Sequence, residues 1–187
     1  MENCYKFGTP NPKNRQFKYS NVWADEKTSD GGSRRVVAPE TDQVECIIRL
    51  LNSMSGPFWL LYVLVVSRGA NELGRYQSPA PQTKVDVEAF LVKFRGFLEK
   101  DGRHNLWIAS ASGSEMLVYD RHNVIYAYGS LKEWRSTLSA MQFSEVPQIR
   151  FPSPHSHHFH QSMDDEERRM MEHWDWNRTP LKSSDEN

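Results

Sequence analysis

The chain has 187 residues, of which 25% are charged, and 23 Lys and Arg against 24 Asp and Glu leave a formal net charge of −1. That balance provides no global field for nucleic acid or an anionic membrane surface, and the longest apolar run, residues 57–66, is roughly half of a membrane span. With only Cys4 and Cys46 there is no disulfide framework and no cysteine-based metal motif, and an amino terminus without a signal-like apolar stretch points to the cytoplasm.

Residues 1–40 are rich in Asn, Lys, Ser, Pro and Gly and contain the breaker Ser29-Asp-Gly-Gly-Ser33, so a flexible arm is expected. Its aromatics, Tyr5, Phe7, Phe17, Tyr19 and Trp23, are suited to docking on the domain or on a partner. Folding is expected to start at Asp42, where Asp42-x-x-Glu45 has the form of a capping box and Val44, Ile47, Ile48 and Leu51 repeat with helical period. Gly56-Pro57 ends this helix. The continuous apolar run 58–67 predicts a central strand buried on both faces, and residues 73–78 a more polar strand paired back on it.

Thr83 can cap a second helix, whose stripe Val87, Phe90, Leu91, Phe94, Phe97 and Leu98 runs to a stop at Gly102. Three short strands follow, over 106–110, 116–119 and 124–128, with connections short enough for a meander. Ser130-Leu-Lys-Glu133 opens a third helix with Trp134, Leu138 and Met141 facing inward. After an extended piece at 146–151 comes Pro154-His-Ser-His-His-Phe-His160. A fourth helix then begins with Asp164, Asp165, Glu166 and Glu167, acids placed where the helix dipole favours them. Residues 177–187 are polar and expected to fray.

Four of the seven histidines therefore lie within one short run. On an extended backbone His155 and His157 share one face while His158 and His160 face the other, so the run offers half of a zinc-type site. Asp164, Asp165, His104, His122 or His173 are the candidates to complete it. The run lacks the Asp of a His-x-His-x-Asp-His hydrolase pattern, because Phe159 stands there.

A local echo, Asp101-Gly-Arg-His-Asn105 and Asp120-Arg-His-Asn123, precedes two strands of the meander. Both starts fall at one end of the sheet, about 10 Å apart at ~4.8 Å per strand, so Arg103, His104, Arg121 and His122 are expected to form a cationic rim fit for an anion or an acidic loop. Turn chemistry explains the same residues without a ligand. A polar-aromatic sheet face is expected from Glu72, Arg75, Tyr76, Gln77, Tyr119, Tyr126 and Tyr128. No glycine-rich phosphate loop and no Gly-x-Ser-x-Gly elbow occurs, which argues against covalent catalysis.

The stretch 56–176, with Gly-Pro-Phe-Trp-Leu-Leu-Tyr-Val-Leu-Val-Val66, Gly-Arg-Tyr-Gln-Ser-Pro79, Leu-Val-Tyr-Asp-Arg-His-Asn-Val-Ile-Tyr-Ala-Tyr-Gly129 and the histidine run, resembles a family of small bacterial proteins without an assigned activity. It also looks like the immunity proteins of bacterial toxin systems. The first resemblance implies residues 41–176 as one unit with the first forty residues as an extension; the second implies a small cytoplasmic α+β protein.

The expected fold is α+β: a mainly antiparallel sheet of about five strands, two amphipathic helices on one face and a C-terminal helix bracing it. The leading functional expectation is a non-enzymatic protein-binding module, immunity-protein-like, that uses Arg75, Tyr76, Arg103, His104, Arg121, His122, Tyr126 and Tyr128 and takes no cofactor. The alternative is a metal-binding protein or metal-dependent hydrolase, with zinc or another divalent transition metal held by His155, His157, His158 and His160. No nucleic acid or membrane is expected as a partner.

Overall fold

The computed structural model describes residues 4–11, 15–129 and 131–185. In chain order the elements are β1 (Phe7–Gly8), β2 (Val22–Lys27), β3 (Ser33–Ala38), α1 (Gln43–Leu51), β4 (Phe58–Leu64), β5 (Gly74–Gln77), α2 (Lys84–Lys93), α3 (Arg95–Lys100), β6 (His104–Ser110), β7 (Met116–Tyr119), β8 (Ile125–Tyr128), α4 (Leu131–Ala140), β9 (Ser144–Glu145), β10 (Ser156–His157), α5 (Asp164–Met171) and β11 (Asn177–Thr179). Nine strands form one sheet in the order β11-β5-β4-β6-β7-β8-β3-β2-β9, and β1 pairs separately with β10. The fold is α+β, with a mixed sheet in which β2 and β9 make the parallel pair and the other neighbours run antiparallel. Among the described residues no helix is long and apolar enough to cross a membrane.

The hairpin β4–β5 and the meander β6–β7–β8 lie where the apolar patterns place them. The sheet exceeds the expected five strands because its remaining members come from segments whose hydropathy is weak. Residues 22–38, expected within a flexible arm, are instead a hairpin inside the sheet. Ser29-Asp-Gly-Gly-Ser33 is its turn, with Gly31 at φ +85. Arg35 hides the strand pattern: its side chain is 2% exposed, donates to both carboxylate oxygens of Asp25 (2.8 and 2.9 Å) and lies 4.1 Å over the Trp23 ring. A guanidinium whose charge is paired and whose plane is stacked can occupy a buried position that a polarity count assigns to solvent.

The expected frayed end behaves similarly. Asn177–Thr179 pair with β5 through their backbones while their side chains stay exposed, and Asp185 is buried against Arg75 (2.6 Å). Backbone pairing needs no apolar side chain, so hydropathy is silent about it.

The Asp42 capping box does not form. Asp42 sits at φ 55 without a side-chain cap, Glu45 accepts from Arg49 (2.8 Å), and the free Val44 N–H donates to Glu99 Oε1 of α3 (2.9 Å). Thr83 does cap its helix, accepting from Asp86 N–H (3.2 Å), but the long helix divides into α2 and α3 at Phe94. Ser130, expected to cap α4, lies outside the described residues.

Helices α1 to α5 cover one face of the sheet, over Phe58, Leu60, Tyr62, Leu64, Leu106, Ile108, Leu117, Tyr119, Ile125 and Ala127. A second cluster, Phe7, Tyr19, Ala24, Val36, Ala38, Val124 and Ile149, covers part of the opposite face. Among the described residues the rest of that face, over β6, β7 and β8, carries no α-helix; it bears half-buried Trp107, Met116, Val118, Tyr126 and Tyr128, with the 3-10 turn Ser183–Asp185 beside them.

Candidate metal centre

The histidine segment is tied to the body of the protein by its backbone. Residues Phe7 and Gly8 pair with His157 and Ser156, His158 N–H donates to Lys6 O (2.9 Å), and Gly102 N–H donates to His158 O (2.9 Å). A Cβ at Gly102 would lie 2.6 Å from Lys6 O and 3.2 Å from His157 Cβ, so the missing side chain is what lets the two backbones meet. Farther along, His160 N–H donates to Asp101 Oδ2 (2.8 Å) and Arg103 Nη2 donates to His160 O (3.0 Å).

Alternation then sends the imidazoles two ways. His158 and His160 turn toward Tyr5: the His158 ring is 4.5 Å from the Tyr5 ring, and His160 Nε2 lies 3.0 Å from Tyr5 O. His155 and His157 turn the other way and meet His122 from the turn between β7 and β8. One ring nitrogen from each of these three residues lies within 4.8 Å of the other two.

Hydrogen bonds set the tautomers of two of these rings. His122 Nδ1–H donates to Asp120 Oδ2 (2.8 Å) and His155 Nδ1–H donates to Pro152 O (3.0 Å), because a carboxylate and a carbonyl can only accept. In the neutral rings both Nε2 atoms are then acceptors, and they face each other at 3.1 Å. Two lone pairs at that separation repel unless a proton or a metal ion lies between them.

The third ring adds another lone pair. His157 Nδ1 is buried and makes no hydrogen bond, and burial, the nearby Arg121 guanidinium and the two neighbouring imidazoles push its pKa down to about 3. It is neutral and ready to donate electrons. Tetrahedral zinc with Zn–N of about 2.0–2.1 Å sets N···N edges near ~3.3 Å. The His122–His155 edge already approaches this, and the His157 ligand nitrogen lies within 4.8 Å of both. Phe7, 1% exposed, packs near all three rings at centroid distances of 5.6, 6.2 and 6.3 Å and closes one side of the cluster.

The expected cationic rim does not form. Arg103 is fully buried and held by Asp101 (2.8 Å), Glu167 (2.5 Å) and Asp164 (3.1 Å). Burial disfavours its charge, but the hydrogen bonds and charges of Asp101 and Glu167 outweigh that and raise its pKa. His104 is also fully buried, packed between the tilted rings of Tyr62 (5.2 Å) and Phe97 (4.7 Å). Burial and then the nearby Lys6 charge push its pKa well below the ordinary value against the opposing Leu98 carbonyl, and Arg103 lowers it further. His104 begins β6 in register with inward Leu106 and Ile108, so the pleat directs it into the core. Of the four rim residues, His122 alone reaches the histidine cluster; burial lowers the pKa of half-buried Arg121, and Asp120 partly restores it.

The expected polar-aromatic face also divides. Tyr76 and Tyr119 point into the helix-covered core, while Arg75, Tyr126 and Tyr128 lie on the other face, as period-2 alternation requires of Arg75 and Tyr76. Asp164 is committed to Arg103 and Arg68, exposed Asp165 to Arg168, and His173 to Lys93 and Phe90, away from the cluster. Asp120 and Phe7 are the site residues that sequence reasoning missed. Asp120 was visible as part of the Asp-Arg-His-Asn echo, where a carboxylate two residues before a histidine is the available signal.

An open groove of about 470 Å³ lies on the face opposite the helices and begins at the cluster. Its wall includes Asp120, His122 and Phe151 at one end and Arg34, Met116 and Tyr128 at the other, over a floor of Trp107, Val118 and Tyr126. Comparison with family models, curated proteins and solved structures finds no match, so function is argued from this geometry.

Proposed function

We propose that this protein binds a divalent transition metal of the zinc class through His122, His155 and His157. The observation that carries the reading is the convergence of the His122 and His155 Nε2 lone pairs at 3.1 Å, with each Nδ1–H already committed to Asp120 or Pro152. A carboxylate or carbonyl behind the ligating imidazole is the usual outer support of a metal-bound histidine, since it selects the tautomer and raises ligand basicity. Three imidazoles suit zinc, copper or nickel better than calcium or magnesium. Three protein ligands also leave a fourth position for water or a ligand donor, the arrangement of zinc sites that perform chemistry.

The test is metal content and linkage. Protein prepared without an affinity tag and titrated with zinc should take up about one equivalent and unfold at a higher temperature when loaded, because a ligand that binds only the folded state stabilises it. Uptake below about a tenth of an equivalent with an unmoved transition overturns the reading.

A second reading, a protein-docking surface such as an immunity protein presents to its toxin, is favoured by one observation. Half-buried Arg34 stacks on Tyr126 (4.4 Å) on the face opposite the helices, beside buried Arg75 over Trp107 (4.9 Å), and Arg and Tyr dominate binding hot spots. Unchanged partner affinity in both Arg75→Ala and Tyr126→Ala would remove it.

A further inference from the structure

We propose that the groove is the ligand site served by this metal, and that its ligand is an aromatic carboxylate, carboxylate on the metal and ring on the floor of Trp107, Val118 and Tyr126. The inference rests on the metal reading above. Its first support is continuity: His122 belongs both to the histidine cluster and to the wall of the groove, and Asp120, which accepts from its Nδ1–H, lies in the same wall. Buried Phe7 closes the cluster on one side, whereas Phe151, 39% exposed and 5.3 Å from the His122 ring, stands where the cluster meets the groove. The groove is therefore an open approach by which a donor reaches the metal's fourth position.

The floor sets the shape of the ligand body. Trp107 pairs with Val118, and Val118 with Tyr126, so these side chains form one row across β6, β7 and β8. Neighbouring strands are about 4.8 Å apart, which makes the row roughly 10 Å wide, and the rise of about four residue steps from Met116 to Asp120 adds about 13 Å of length. A flat fused ring fits such a surface. The volume, about 470 Å³, falls within the ~300–1,000 Å³ of small-molecule sites.

Charge sets the rest. Arg34 is paired with Glu26 (2.9 Å), Asp185 with Arg75 (2.6 Å), and Asp120 accepts from His122, so the charged groups of the groove are already matched. An anionic ligand group is met along the floor by guanidiniums already paired with carboxylates and gains most at the metal, while an uncharged ring meets Val118, Met116 and the surface of Trp107 and Tyr126 beside the Arg75 and Arg34 guanidiniums stacked on them. A single carboxylate with an apolar body satisfies both ends; a polyanion does not.

The experiment uses the full chain loaded with Co²⁺, whose visible absorption reports the coordination sphere. 2-Naphthoate, acetate and 2-naphthalenemethanol are titrated in turn, and the Trp107 indole N–H resonance, assigned with Trp107→Phe, is followed in parallel. Naphthoate should change the cobalt spectrum, shift the Trp107 resonance and bind at least about tenfold more tightly than acetate. The alcohol should leave the cobalt spectrum unchanged. Tyr126→Ala should remove the advantage of naphthoate and leave acetate binding intact. A cobalt spectrum that responds equally to naphthoate and acetate, with Trp107 unmoved, overturns the groove as ligand site while the metal reading stands. Failure to bind cobalt at all overturns both.

Discussion

Two polar clusters flank the histidine segment, and they differ in one respect. Around Arg103, each donor direction used meets an acceptor: Asp101, Glu167, Asp164 and the His160 carbonyl surround the guanidinium, and Glu167 also accepts from Ser67 (2.6 Å) and Asn71 (2.8 Å). Around His122, acceptors meet acceptors. A buried polar group that is fully matched is part of the scaffold, whereas like lone pairs gathered in one place make sense when a cation joins them. The sequence places Arg103 and His122 alike in one exposed cationic rim, yet the structure uses Arg103 to hold the segment on which His155 and His157 ride.

The largest expected effect tests the scaffold half of this contrast. Arg103→Met leaves Asp101 and Glu167 buried without their counter-charge, and should lower the unfolding free energy by about 3–5 kcal/mol in urea denaturation. A loss below about 1 kcal/mol would mean that the network does not anchor the fold. His122→Ala addresses the other half: zinc affinity should fall by more than about 100-fold, beyond what loss of an outer support costs. Stability of the metal-free protein should change by no more than about 0.5 kcal/mol, as for a partly exposed side chain. If calorimetry finds the reverse, stability lost and affinity kept, the two clusters have been assigned the wrong way round.

Asp120→Asn should weaken zinc binding about 10- to 100-fold, the usual cost of losing a carboxylate behind a ligating imidazole. The smallest effect concerns His104. Its folded-state pKa lies well below the ordinary value of 6.5, so below about pH 6.5 the unfolded chain takes up a proton that the folded imidazole refuses. Its contribution to stability is complete above that pH and declines as pH falls. In His104→Phe the decline between about pH 6.5 and pH 5 should flatten by at most ~1.4 kcal/mol per pH unit, measured by denaturation at each pH.

Much of the site was legible before any coordinates. Alternation correctly separated His155 and His157 from His158 and His160, and the Asp-Arg-His-Asn echo brought His122 among the candidates to join them. The same echo raised His104 equally, and there it misled. Sequence similarity between the two starts says nothing about pleat: His104 opens a strand and points inward, whereas His122 stands in a turn and is free of that register. Tyr76 and Tyr119 were lost from the expected surface for the same reason.

The amino-acid sequence by itself determined the local elements whose apolar period is strong: α1, the Thr83-capped helix, the β4–β5 hairpin, the meander, and the facing of the four clustered histidines. These follow from spacing along the chain, which local backbone geometry converts directly into direction. Tertiary structure alone decided that residues 22–38 and 177–179 join the sheet, that three carboxylates neutralise Arg103, and that His122 reaches His155 across 33 residues of chain. Each of these depends on backbone pairing or charge matching between distant segments. Neither interaction leaves a periodic trace in the sequence, because both are satisfied by partners that only the folded chain brings together.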